Sequence, residues 1–447
     1  MTNKDLCLKT AEWLLPGKDA NLAAWACVAC DQYTSQRSYW AQARELAGDR
    51  PSAVKLILPE CDLEKTEELI PQIHAEMEKY LADGILHPAA EGFILTERRT
   101  ESGIRKGLVV LLDLEGYDYS QGSQSLIRPT EGTIVDRIPP RLKVRRKAAL
   151  ELSHVMVLLD DPLRTVVEPL YQRRHELKKL YDFSLMLGGG HLTGYAVTDP
   201  GDIEAVVNAI ARLKAGETEP DALEKGCKRL HKALKALKLN KNTSSQRKRP
   251  KAPLLYAMGD GNHSLATAKA CWEEIKQGLP PGQREDHPAR YAMAELVNLH
   301  NEALAFEPIH RVVFGIAGDD LLADMAEYAA NHGLALTGGD QKVVCVYGGK
   351  EVALAMEDSA HRLIVGTLQS FLDEWLQSHP EAKLDYVHGE SAVRDLAGGE
   401  RTVGFLLPPL EKAGLFPAIH SEGVLPRKTF SMGEAHEKRY YVEARRL

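Results

Sequence analysis

Apolar residues along this chain fall into two kinds of run, and each predicts a different element. Short continuous or alternating runs bounded by Gly, Pro or Asp predict strands. They are Ser52 to Leu58, Gly92 to Arg99, Lys106 to Asp113, His154 to Leu159, Gly194 to Val197 and Leu254 to Met258. Further along come Tyr291 to Asn298, Ala305 to Phe314, Val343 to Tyr347, Val352 to Met356 and Val403 to Leu407. Gly92–Arg99 and Lys106–Asp113 flank Glu101-Ser102-Gly103, a hairpin signal, and Tyr291–Asn298 and Ala305–Phe314 read as adjacent strands. Apolar positions at helical spacing predict helices over 4–14, 39–47, Leu63 to Leu81, Val166 to Leu180, Ile203 to Leu213, Leu223 to Leu237 and Leu368 to Gln377, with another just past Asp319. Strands alternate with helices irregularly, which predicts an α/β (mixed α+β) fold on a mixed sheet and not a strict Rossmann succession. Gly315–Asp319 is the expected boundary between a main domain, 1–315 with an insertion at about 217–251, and a smaller α/β unit, 316–447, packing back on the site.

Composition narrows the class of protein. The 447 residues suffice for two or three domains, and 44% hydrophobic with 27% charged residues is ordinary globular material. A net charge of -7 argues against a general nucleic-acid binder. No apolar run approaches the ~20 residues of a membrane span. The first residues lack a signal-peptide pattern, and seven scattered cysteines suit a reducing compartment, so a cytoplasmic protein is expected. Cys27 and Cys30 form one CxxC pair without a second, which favours two small apolar residues over a zinc or redox site.

Chemistry concentrates at one place. The apolar run Leu254–Met258 breaks at Gly259-Asp260-Gly261, after which Leu265, Ala268, Trp272 and Ile275 recur at helical spacing until Gly278. This is strand, glycine turn, helix. The unpaired amides and positive dipole end of the helix's first turn would face an anion there, with Asp260, Asn262, His263 and Ser264 in reach. Alternatively Asn262 or Asp260 is simply the N-cap, although a cap needs only one such residue. Three other polar stretches compete for a role. Residues 127–137 pack two acids, two arginines and two threonines into a loop, and Gly423–Tyr440 is a basic tail. From Lys225 to Lys251 there are eleven Lys or Arg and no acid. That segment is either a polyanion-binding arm or, as preferred here, a solvated surface helix with a flexible loop, whose place just before the turn leaves open a role in drawing anionic substrate.

The motifs Pro129-Thr130-Glu131-Gly132-Thr133, Asp260-Gly261-Asn262-His263, Pro308-Ile309-His310-Arg311 and Leu425-Pro426-Arg427-Lys428, with Asp31 near the start, resemble in order those of the bacterial and archaeal family catalogued as "domain of unknown function 1015". The central turn is also similar to that of the ParB/sulfiredoxin-like group, whose members bind nucleotide phosphates at a helix N-terminus. Its free-serine kinases carry Asp-Gly-His-His-Arg there and an upstream Pro-His-Glu whose glutamate is the base. Here Asn262 and Ser264 replace a histidine and the arginine, and Thr130 replaces the histidine before Glu131. Losing the arginine removes a bidentate phosphate clamp that Arg137, Arg311, Arg427 or Lys428 must replace.

The resemblance implies a ParB/sulfiredoxin-like phosphate-binding core in the main domain and a phosphoryl-transfer enzyme acting on a small hydroxylated metabolite, with free L-serine or O-phosphoserine the first choice and the direction open. The implied roles follow the needs of phosphoryl transfer. Glu131 is the base, Asp260 a magnesium ligand or second acid, and His263 a catalytic contact to phosphate. Gly259, Gly261, Asn262, Ser264, Arg137, His310, Arg311, Arg427 and Lys428 make the phosphate site. ATP, ADP or pyrophosphate would donate phosphate, and a homodimer is allowed. The alternative is a nucleotide-responsive ParB-like binding or regulatory protein without small-molecule catalysis, and a third reading is a scaffold with a vestigial site.

Overall fold

A computed structural model describes residues 2–30, 33, 36–216, 254–358 and 360–447. Asp31, the expected helix Leu223–Leu237 and the basic segment 225–251 lie outside the described residues. The chain is mixed α/β, with a large mixed sheet of thirteen strands and a smaller antiparallel sheet of six among those residues. The expected hairpin is the spine of the large sheet, running Leu86–Thr100 and back over Gly103–Asp113. From one edge the order is Ile127–Arg128, Tyr256–Asp260, Met156–Leu159, Tyr291–Asn298, Gly103–Asp113, Leu86–Thr100, Ala11–Pro16, Ala444–Arg446 and Leu150–Leu152. Parallel and antiparallel pairings mix at the first edge: Tyr256–Asp260 runs parallel to Ile127–Arg128 and antiparallel to Met156–Leu159. The helices Pro200–Lys214 and Asn262–Gln277 bury apolar faces on one side of this sheet. A second core packs on residues of Arg37–Ala47 and Thr66–Ala82. Cys27 belongs to that core, as its apolar reading requires.

Several local expectations are corrected by tertiary contacts. Residues 4–14 are not a helix: a 3-10 turn, Lys4–Leu6, leads into short strands and Ala11–Pro16. Trp13 and Leu14 are both buried in the second core, across a register slip between them, and the Trp13 indole donates to the Gly92 carbonyl at 2.9 Å. Ser52–Leu58 forms no strand, because the Ser52 hydroxyl caps the 3-10 turn Ala53–Lys55. The helix expected over Val166–Leu180 stops at Gln172, and Lys178–Ser184 is instead a strand paired with His191–Val197. Buried Glu97 holds Arg174 at 2.8 Å and so pins this segment to the sheet.

Tyr291–Asn298 and Phe306–Phe314 are not neighbours. The first lies between Met156–Leu159 and Gly103–Asp113 in the large sheet. The second pairs with Lys383–His388, Thr402–Leu406 and Phe430–Met432 in the small sheet. The sheets' hydrogen bonding crosses the position of Gly315 in both directions, since Ala444–Arg446 returns to the large sheet. On one face of the small sheet the helices Gly318–His332 and Ile364–Ser378 build a separate core. Among the described residues no helix is long and apolar enough to cross a membrane.

Candidate functional site

Three segments converge at the carboxyl end of the strand Tyr256–Asp260. The strand's first residues are fully buried, and its register against Met156–Leu159 slips between Met258 and Asp260, which turns the chain outward. Gly261 then takes φ +83, and a Cβ there would meet the Val155 Cα at 3.1 Å. Glycine is therefore required for both conformation and space. A Cβ on Gly259 would come within 2.9 Å of the Met432 methyl, so the tail passes close by. The helix Asn262–Gln277 starts with Gly261 as N-cap and no side-chain cap. Neither Asp260 nor Asn262 caps it, so the amides of Asn262, His263 and Ser264 lack the helical partners that later residues have.

The parallel pairing of Ile127–Arg128 with Tyr256 and Ala257 sets the loop 129–137 beside this turn. A parallel bridge between Glu131 and Leu425, with the Leu425 amide 2.7 Å from the Thr130 carbonyl, brings in the tail. A cavity of about 350 Å³ opens among these segments. Its lining includes Glu131, Arg137, Asp260, His263, Ser264, Arg427 and Lys428, all expected from the sequence. Gly259, Gly261 and Asn262 line it as well.

His263 Nε2 accepts the Ile134 amide at 3.3 Å. Glu131 is engaged on both oxygens: Oε2 accepts the Lys428 amide at 3.1 Å and Oε1 the Thr429 amide at 3.2 Å. Burial raises its pKa, while the two amides and the charges of Lys428 and Arg311 pull the other way. Asp260 differs. Its Oδ1 accepts the Gly261 amide at 2.9 Å, whereas Oδ2 is buried without a hydrogen-bond partner. Asn262 Oδ1 is likewise buried and unpartnered. Two such acceptors flanking one glycine fit a cation or a ligand's donors. Among the described residues no group of three His, Cys, Asp or Glu could hold a metal. Magnesium at Asp260 and Asn262 therefore fits only in the manner of an ion that completes its shell with water and phosphate oxygens.

His310 and Arg311 do not reach the cavity, and their expected phosphate contacts are corrected. Both are buried in the small sheet, where His310 Nδ1 accepts the Leu407 amide at 3.1 Å. Arg311 donates to Gln369 Oε1 at 2.9 Å, to the carbonyls of Ile309 at 2.5 Å and Lys428 at 2.9 Å, and lies 4.7 Å from the Tyr386 ring centroid. Burial lowers its pKa to about 10. On this side Ile309 and His388 face the cavity instead.

The structure adds Lys438. Its ammonium lines the cavity 4.0 Å from Asp260 Oδ2 and donates to the Met432 carbonyl at 2.9 Å. The only sequence signal was its place in the basic tail. Apolar lining by Trp40, Leu56, Leu58, Met77 and Val144 was not foreseen, because it gathers residues from separate elements.

Fold and site define a two-sheet mixed α/β protein whose cavity opens at an uncapped helix N-terminus. The chain belongs to the family described as "Protein of unknown function (DUF1015)", whose model matches residues 13–375. No curated protein matches it. Solved structures similar in part include a free serine kinase in complex with AMP, at 10% identity and TM-score 0.36, covering 75% of this chain and 90% of that one. A conserved hypothetical protein from Pyrococcus furiosus shares 15% identity at TM-score 0.28, over 42% of this chain and 73% of that one. SbnI with a C-terminal truncation, from Staphylococcus aureus, shares 10% at TM-score 0.27, over 42% and 65%. Likenesses at these scores carry no argument about the chemistry of this chain.

Proposed function

We propose that this protein transfers a phosphoryl group to or from a small hydroxylated metabolite, with free L-serine and O-phosphoserine the pair to test first. One observation carries the reading: the uncapped N-terminus of Asn262–Gln277 opens into a cavity also lined by Arg137, Arg427, Lys428 and Lys438. Amides, dipole and cations there suit the charge of a transferring phosphoryl group. Asp260, whose Oδ2 has no hydrogen bond and lies 4.0 Å from the Lys438 ammonium, serves as base or magnesium ligand. His263 and Ser264 contact phosphate, and Glu131 completes the polar wall. A nucleotide donor would lay its base on the apolar lining of Trp40, Leu56, Leu58, Met77 and Val144, whereas pyrophosphate would leave it uncovered. Magnesium, when bound, would neutralise the donor's phosphate charge.

A second reading is a nucleotide-responsive binding protein. It is favoured by Ser264 standing where the serine-kinase motif has arginine and by the full engagement of Glu131 with backbone amides. Phosphorus NMR of the purified protein with serine or phosphoserine and ATP, ADP or pyrophosphate tests both. New phosphorus resonances that depend on serine support transfer. Binding of ADP without turnover of any pairing replaces it with the binding reading, and the absence of both removes the cavity from phosphate chemistry.

A further inference from the structure

The tail residues Arg427 and Lys428 carry cations to the cavity on an unfavourable backbone. Lys428 has φ +59, a left-handed conformation that a side chain other than glycine resists. Two charged residues from different sheets hold it there. Glu131, in the loop after Ile127–Arg128, accepts the amides of Lys428 and Thr429. Arg311, on the small-sheet strand Phe306–Phe314, donates to the Lys428 carbonyl at 2.9 Å and reaches the Arg427 carbonyl at 3.4 Å. The guanidinium and the carboxylate thus grip the turn from opposite ends of its peptide dipoles, and each favours the other's charge.

We infer that Glu131 and Arg311 are a positioning pair: together they lock the 427–429 turn so that Arg427 and Lys428 present their cations to an anionic ligand. Neither needs to touch that ligand. The inference rests on the proposed phosphate-binding cavity only for its ligand; the lock itself is independent of it. It also gives Glu131 a role other than the base that the kinase resemblance implies, since both of its oxygens already accept backbone amides of the turn.

The test uses the full chain with E131Q, R311Q, the double variant and K428G. Because Arg311 is fully buried, R311K is made as well; it keeps the charge but lacks the planar fork that reaches Gln369 and the two tail carbonyls together. Hydrogen exchange of the Lys428 and Thr429 amides and calorimetric titration with inorganic phosphate and ADP are read on each folded variant. Either single change is expected to raise exchange at the turn and to weaken anion binding about tenfold. The double variant should be little worse than either alone. In the K428G background, E131Q should disturb exchange less, because glycine adopts this turn without strain. Unchanged exchange in both R311K and R311Q overturns the lock. Raised exchange with unchanged anion affinity overturns the positioning role. E131Q lowering turnover alone, with exchange and affinity intact, returns Glu131 to the role of base. A parent protein that binds no anion would sink the proposed function, while the exchange arm would still decide whether the lock exists.

Discussion

Gly261→Ala probes the geometry on which the site depends. An L-residue in the left-handed region costs roughly 1–2 kcal/mol. The new methyl would also meet the Val155 Cα and Cγ2, both at 3.1 Å. Val155 leads directly into Met156–Leu159, a fully buried strand paired on both sides, so the strand cannot yield. The start of Asn262–Gln277 must shift by a few tenths of an ångström instead. That moves the three amides meant for phosphate. Where the backbone is compatible, Gly→Ala gains about 0.4–1 kcal/mol through the unfolded state. Gly282→Ala is the control, because no atom lies within 4 Å of its Cβ position and its φ is not left-handed. Against that control, Gly261→Ala should lose about 1–2 kcal/mol of stability. Its affinity for ADP or inorganic phosphate should fall about tenfold, which is 1.4 kcal/mol. Urea denaturation and calorimetric titration measure the two effects. A Gly261→Ala protein with the parent's midpoint and the parent's affinity would refute the account of this turn.

Asp260→Asn should lower serine-dependent phosphoryl transfer ~100-fold or more and change the magnesium requirement, because an amide is a weaker base and a poorer ligand for a hard cation. Magnesium titrations of parent and variant by phosphorus NMR check this, and unchanged rates would remove Asp260 from the chemistry. Burial lowers the pKa of His310 below its ordinary 6.5, so the unfolded chain binds the proton first and the contribution to stability is lost as pH falls below that value. His310→Asn keeps an acceptor for the Leu407 amide without titrating, and its urea midpoint should fall less between pH 7 and pH 5 than the parent's. Arg439→Met should cost about 3–5 kcal/mol in urea unfolding, because it strands two buried carboxylates, Glu295 at 3.1 Å and Glu443 at 2.7 Å. A loss below that of an ordinary surface change would show the network to be dispensable.

What the amino-acid sequence determined by itself is what depends on neighbouring residues. The turn at Gly259-Asp260-Gly261 is legible because left-handed glycine, a preceding apolar run and a following helical period are all local signals. The hairpin about Glu101-Ser102-Gly103 is legible for the same reason, and so is the helix Ile203–Leu213, observed as Pro200–Lys214. The ordered motifs brought Glu131, Asp260, His263, Arg427 and Lys428 onto one list, and the cavity contains all five. The tertiary structure alone decided what each does there. Tyr291–Asn298 and Phe306–Phe314 are close in sequence and show similar apolar patterns, yet strand partners far along the chain send them to different sheets. That choice buries Arg311 behind the tail instead of on the cavity wall. Lys438 carried no local signal, since a lysine in a basic tail is ordinarily solvated, and only the return of Ala444–Arg446 to the large sheet draws the tail inward. The engagement of Glu131 and the unpartnered oxygen of Asp260 belong to the same class of fact. Hydrogen-bond satisfaction depends on atoms that meet across 297 positions between Glu131 and Lys428, and periodicity along a chain holds no information about such meetings.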